Sequence, residues 1–168
     1  YIGIDSKGKS HKYDIVNNDG ILEYLINDTT KPLIKPIHLF KDTGEMKVEI
    51  LFTYDVSEEA KSSIHAFSNF CPTLSGTHIE GFYEGLGQFF SGYMNKIYLA
   101  KSDASKKKKS KAKLSVTAAD TRSNLCAVIS AACLEPMFSG QAKERLTNAE
   151  MKPFVKNIVI ELLDKWSK

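Results

Sequence analysis

Apolar residues recur along this 168-residue chain with two different periods, and the changes between them mark out its elements. In "EMKVEILFTYD", Val48, Ile50 and Phe52 alternate with Lys47, Glu49 and Leu51, the period of two that defines a strand. "SSIHAFSNF" is expected to pair with it. "KPLIKPIHLF" contains Pro32 and Pro36, which lack an amide donor, so this extended segment belongs at a sheet edge. Nearer the start, "SKGK" can turn a hairpin between "YIGI" and "HKYDIV", and Ile21, Leu22, Tyr24, Leu25 and Ile26 predict a short helix after Asp19-Gly20. "KLSVTA" and "LCAVISAACL" are read as strands because Val116, Val128 and Ile129 supply branched apolar bulk.

The longer period dominates two stretches. In "SGTHIEGFYEGLGQFFSGYMNKIYLA", Phe82, Leu86, Phe89, Phe90, Tyr93 and Ile97 recur at three-and-four spacing, which predicts a long helix with one face in a core. Thr77 and Glu80 have the spacing of a capping box. Gly81, Gly85, Gly87 and Gly92 each cost about 1 kcal/mol relative to alanine inside a helix, so the close approach of another backbone is expected there. A second stripe, Val155, Ile158, Val159, Leu162, Leu163 and Trp166, predicts a helix from near Pro153 to the end, 153–168. No internal repeat is present.

Composition narrows the class. With 42% hydrophobic and 26% charged residues the chain resembles an ordinary globular domain, 1–168, large enough for one core. No apolar run is long enough to cross a bilayer, so no membrane partner is expected. Cys71, Cys126 and Cys133 are odd in number and lack CxxC spacing; this argues against a disulfide framework or a metal site and for a reducing, cytoplasmic setting. The sequence starts without methionine and stops within a helical pattern, so a fragment of a longer polypeptide is expected. The net charge of +3 conceals a basic loop at 101–113, where seven lysines face one aspartate, leaving the remainder net negative.

The candidate chemistry lies in "SGQAKERL". Ser139 and Gly140 loosen the backbone, while Gln141 and Lys143 offer an amide and a compact cation able to meet one anionic group. Taken alone, the stretch reads more readily as an exposed surface turn. His78 is read as structural, since no nucleophile or carboxylate arrangement completes a dyad with it. "GLG" at Gly85 to Gly87 follows no strand and is not a phosphate cradle.

"SGTHIEGF" before a long helix, "TAADTRSNLCAVIS" after a basic loop, "EPMFSGQAKERL" and "NAEMKPFV" occur in this order. Together they resemble the transducer domain of the ATPase subunit of bacterial-type type IIA DNA topoisomerases, the gyrase B and topoisomerase IV B family, over nearly the whole chain. The resemblance implies an α+β fold like ribosomal protein S5 domain 2, a mostly antiparallel sheet backed by helices with a left-handed βαβ crossover. It implies a single transducer domain whose last helix continues toward a DNA-cleaving core. Gln141 and Lys143 would bind the γ-phosphate of ATP in an adjacent ATPase domain, Lys143 acting catalytically, while Mg2+ would be held outside these residues. Further implied partners are double-stranded DNA, the DNA-cleaving subunit and a second copy of the same subunit. The family usually has threonine where this chain has Ala142, and often DNA-facing arginines where it has Tyr83 and Gln88, near Glu80 and Glu84. Ser75, Ser123 and Asn124 also depart from the family pattern. Lys106, Lys107, Lys108 and Lys109 are DNA-contact candidates, because phosphate attraction needs only positive charge. Two alternatives stay open: a MutL-like repair ATPase transducer, and a stand-alone nucleic-acid-binding module using the lysines with Tyr93 and Tyr98.

Overall fold

The computed structural model describes residues 2–4, 10–12, 20–104 and 116–168, with side chains from 20 to 97 and from 116 onward. Lys106, Lys107, Lys108 and Lys109 lie outside the described residues. In chain order the elements are β1 (Ile2–Ile4), β2 (Ser10–Lys12), α1 (Leu22–Asp28), β3 (Ile37–Asp42), β4 (Met46–Tyr54), β5 (Ser63–Ser68) and β6 (Cys71–Thr73). These are followed by β7 (Ser75–Gly76), α2 (Thr77–Ala104), β8 (Leu125–Cys133), β9 (Arg145–Leu146) and α3 (Met151–Trp166).

β1 and β2 form the expected antiparallel hairpin. The main sheet has the order β3-β4-β8-β5-β6, and within it only the β5–β8 pair is parallel. The architecture is therefore α+β and mostly antiparallel, as expected. β3 takes the edge immediately after Pro36, where a residue without an amide donor does no harm.

One pairing differs from expectation: β5 does not pair with β4, because β8 lies between them. β8 is apolar on both faces. Leu125, Ala127, Ile129 and Ala131 join the larger core, whereas Cys126 and Val128 pack with Leu25 and Leu51 on the opposite face. A strand buried on both faces belongs in the middle of a sheet. The same geometry accounts for Leu51, which points away from Val48, Ile50 and Phe52 to meet α1.

α2 and α3 cover the first face. Phe52 and Phe82 meet edge to face with centroids 5.6 Å apart, and Leu86, Val155, Val159 and Leu163 close around them. The expected close approach is present at three glycines. A Cβ on Gly81 would lie 2.4 Å from the Lys152 carbonyl oxygen, one on Gly85 2.7 Å from Val159 Cβ, and one on Gly87 3.1 Å from the Ala118 amide. Gly92 meets nothing within 4 Å. The apolar stripe of α2 is buried only through its first half, for Tyr93 and Ile97 are both 38% exposed.

Two further expectations are corrected. Thr77 and Glu80 do not form a capping box: α2 starts at Thr77 itself, whose Oγ1 is buried without a hydrogen-bond partner, and Glu80 turns to Arg145 and Lys152. "KLSVTA" forms no strand over its described residues 116–118. Instead the Thr117 amide and hydroxyl donate to Asp120 Oδ2 at 2.8 and 2.7 Å, and this local turn competes with pairing. α3 begins at Met151, two positions before Pro153, which sits in the first turn where its missing donor is not needed.

Candidate functional site

β8 ends at Cys133, and the chain then runs through a short excursion before entering α3. The base of that excursion is fastened from three sides. Asn148, 3% exposed, accepts from the Met137 amide at 2.7 Å and donates through Nδ2 to the Glu135 carbonyl at 3.0 Å, replacing a neighbouring strand. Phe138 bridges Leu146, the Ser139 amide donates to the Arg145 carbonyl at 2.9 Å, and the Thr147 amide donates to the Met137 carbonyl at 2.8 Å.

The third attachment is to the segment ahead of α2. β9 pairs in parallel with β7, and the amides of Leu74 and Ser75 both donate to the Glu144 carbonyl, at 2.8 and 3.1 Å. Gly76 makes this contact possible. At φ +141° it adopts a conformation that L side chains rarely take, and a Cβ there would lie 2.7 Å from the Leu146 amide. The "SGTH" and "SGQAK" stretches, 64 residues apart at their serines, thus form one structural unit.

At the tip, Gly140 takes φ +77° and Lys143 φ +55°. Gln141 and Lys143 are both exposed. Among the described residues neither enters a hydrogen bond or ion pair; the Lys143 ammonium rests 6.0 Å from the centre of the Phe138 ring. Neighbouring cations are neutralised. Arg145 reaches Glu80 at 3.1 Å, Lys152 reaches Glu84 at 2.6 Å and Glu80 at 3.5 Å, and Lys156 lies 3.9 Å from Glu84. The tip therefore presents an ammonium without a direct partner beside an unpaired side-chain amide, donors suited to a multiply charged anion.

The rest of the α2 face is not basic. Tyr83 lies under the Arg122 guanidinium, 4.2 Å from ring centre to carbon, and Gln88 is exposed between the paired glutamates and the far end of the helix. His78 is fully buried and contacts Thr73 Oγ1 through Nε2 at 3.0 Å, while burial pulls its pKa down to about 4. It is neutral near pH 7 and structural. Among the described residues no group of three His, Cys, Asp or Glu side chains could hold a metal ion. No helix among them is long and apolar enough to cross a membrane.

One cluster was not legible in the sequence. Asp28 Oδ2 accepts from Ser63 Oγ and lies 2.6 Å from His65 Nε2, joining the end of α1 to β5 across 35 and 37 positions. Ser63 bonds the carboxylate rather than the imidazole, so the three residues fasten an element and do not form a nucleophile triad.

Comparison with known proteins finds relatives over nearly the whole chain. The family model described as DNA gyrase B matches residues 19–168. The DNA gyrase B protein of Eisenibacter elegans is 30% identical over 162 residues, covering 95% of this chain and 32% of that protein. Among solved structures, the 43K ATPase domain of Thermus thermophilus gyrase B, determined with an aminocoumarin, superposes with a TM-score of 0.68 at 24% identity, covering 98% of this chain and 42% of that one. The topoisomerase IV ATP-binding domain of Francisella tularensis, determined with a small-molecule inhibitor, gives 0.65 at 26% identity, covering 95% and 40%. The chain spans about a third of the length of the curated relatives it matches. With the family model running from Asp19 to the last residue, the chain belongs to the DNA gyrase B family.

Proposed function

We propose that this chain is the transducer of an ATP-dependent type II DNA topoisomerase, a single domain within a longer polypeptide. In this reading Gln141 and Lys143 reach into an adjacent ATPase domain and contact the γ-phosphate of ATP. Lys143 then has two tasks: it offsets charge gathering on the transferring phosphoryl group, and its contact distinguishes ATP from ADP. Loss of that contact changes how the transducer is held, which couples hydrolysis to gate movement during strand passage. The observation that carries the reading is the exposed Lys143, without an ion-pair partner, beside Gln141 at the tip of a loop fixed at its base.

Other parts of the reading follow from it. Mg2+ and most nucleotide contacts belong to the ATPase domain, α3 leads toward the DNA-cleaving subunit, and a second copy of the same subunit completes the gate around double-stranded DNA in the cytoplasm. Lys106, Lys107, Lys108 and Lys109 are proposed as salt-sensitive phosphate contacts. The paired state of Glu80 and Glu84 favours this loop over the α2 face as the DNA-contacting part.

The test is Lys143→Ala in the full-length enzyme with its partner subunit. ATP turnover should fall about a hundredfold or more, on the order of 3 kcal/mol of transition-state stabilisation, while nucleotide affinity changes far less. Lys143→Arg should recover only part of the rate, since a planar fork does not replace a compact ammonium. Strand passage by the alanine variant at the unmodified rate would return the loop to an ordinary surface turn.

A further inference from the structure

α2 and α3 lie side by side and run in the same direction, for Gly81 meets Lys152 and Val155 while Gly85 meets Lys156 and Val159. Past Phe89 a cavity of about 430 Å³ opens between the two helices and the sheet. Tyr54 of β4, Phe89 and Phe90 of α2 and Trp166 of α3 line it together with Met94. Trp166 and Met94 are 58% and 45% exposed, so the cavity is open to solvent on their side. Its size falls in the range of small-molecule sites.

The rings are set as walls rather than as a stack. Phe90 meets Tyr54 at 71° with centroids 6.4 Å apart, and Phe89 at 66° with centroids 5.3 Å apart, so the corner they form offers ring faces as well as edges. Charge is as uneven as shape. Among the described lining residues Asp120 alone is ionised near neutrality: the amide and hydroxyl of Thr117 donate to its Oδ2 and hold its carboxyl below the ordinary range. No ion pair among the described residues reaches it. Burial, aided by Tyr83, pushes the Tyr54 phenol up to about 12, so this ring stays neutral, its hydroxyl donating to the Thr121 carbonyl at 3.0 Å.

We infer that this cavity is a binding site for a small organic cation, a single ammonium carried on an aromatic or bulky alkyl group. Aromatic faces attract cations, and one unpaired carboxylate offers the matching charge. The apolar walls take the organic group. Anions and nucleic acid are poor occupants because no lysine or arginine lines the cavity. A ligand there touches β4, α2 and α3 at once, so its binding free energy stabilises this arrangement of the helices on the sheet. The inference is separate from the Lys143 loop and needs no role for it.

The experiment titrates the full-length polypeptide by calorimetry with phenylbutylamine, phenylbutanol and phenylbutyrate, which share a shape and differ in charge, and follows hydrogen exchange at residues 89–94 and 116–121. At neutral pH the ammonium should bind about tenfold more tightly than the alcohol, with slowed exchange at both segments, and the butyrate should not bind. Asp120→Asn keeps an oxygen for Thr117 to bond, and it should weaken the ammonium about fivefold while leaving the alcohol unchanged. Phe90→Leu removes a ring face but little apolar bulk, and it should weaken the ammonium more than the alcohol. Equal affinity for ammonium and alcohol, or ammonium binding that Asp120→Asn leaves unchanged, overturns the inference by leaving only an apolar cleft. Ammonium binding without protection of these segments also overturns it, by placing the site elsewhere. So does an absence of binding at millimolar concentration, which shows the cavity to be covered in the full-length protein.

Discussion

His78 shows how burial sets chemistry at the scale of one residue. Its ring is fully enclosed, only Nε2 has a partner, and Nδ1 is buried without one, so protonation inside the fold is unfavourable. The pKa falls from 6.5 to about 4, and the unfolded chain therefore binds the proton more readily between those values. Stability from neutral His78 is complete above pH 6.5 and declines as pH falls toward 4. By linkage, lowering the pH from 7 to 5 should remove about 2 kcal/mol of unfolding free energy, and in His78→Gln this decline should largely disappear. Denaturant titrations at the two pH values measure both. Asp55, Asp120, Glu150 and Glu161 are all held below the ordinary carboxylate range by hydrogen bonds. Their contributions are lost only at lower pH, so these four carboxylates do not account for a decline between pH 7 and 5.

At the scale of elements, the glycines of α2 divide by what lies opposite them. Gly81 and Gly85 face α3 at distances no Cβ tolerates, so alanine there must push α3 away from α2. Gly81→Ala should cost about 2–3 kcal/mol by overpacking, despite alanine's better helix propensity. Gly92→Ala has open space and should instead stabilise by up to about 1 kcal/mol. Chemical denaturation of the two variants should show opposite signs. If both stabilise, α2 and α3 do not pack this closely. The sequence showed that these glycines needed a reason, but it could not distinguish Gly92 from the others, because the distinction lies in residues about 70 positions further along for Gly81 and Gly85 and about 30 for Gly87.

At the scale of the whole molecule, the Lys143 loop presents donors outward from the fold instead of closing a pocket around them. A nucleotide bound only there would keep most of its surface in water. The chain by itself should therefore show no ATP turnover above background and only weak, salt-sensitive binding of ATP in calorimetry. Turnover by the chain alone that vanishes in Lys143→Ala would show that the nucleotide site is complete within these residues, which contradicts the proposed division of labour.

The sequence by itself determined where most elements lie, because helix and strand periods record which side of each segment is buried, and that record is local. It also determined the family resemblance, through four ordered motifs. Strand order, helix contacts and the state of the charges were decided by tertiary structure. The place of β8 between β4 and β5 depends on both of its faces finding cores, and the failure of the Thr77–Glu80 capping box depends on Arg145 and Lys152 arriving from distant positions. Lys143 stands unpaired for the same reason: in sequence it adjoins Glu144 and is two residues from Arg145, and only the fold turns Arg145 toward Glu80 while directing Lys143 outward. Partner choice is a property of space, and a pattern along the chain does not contain it.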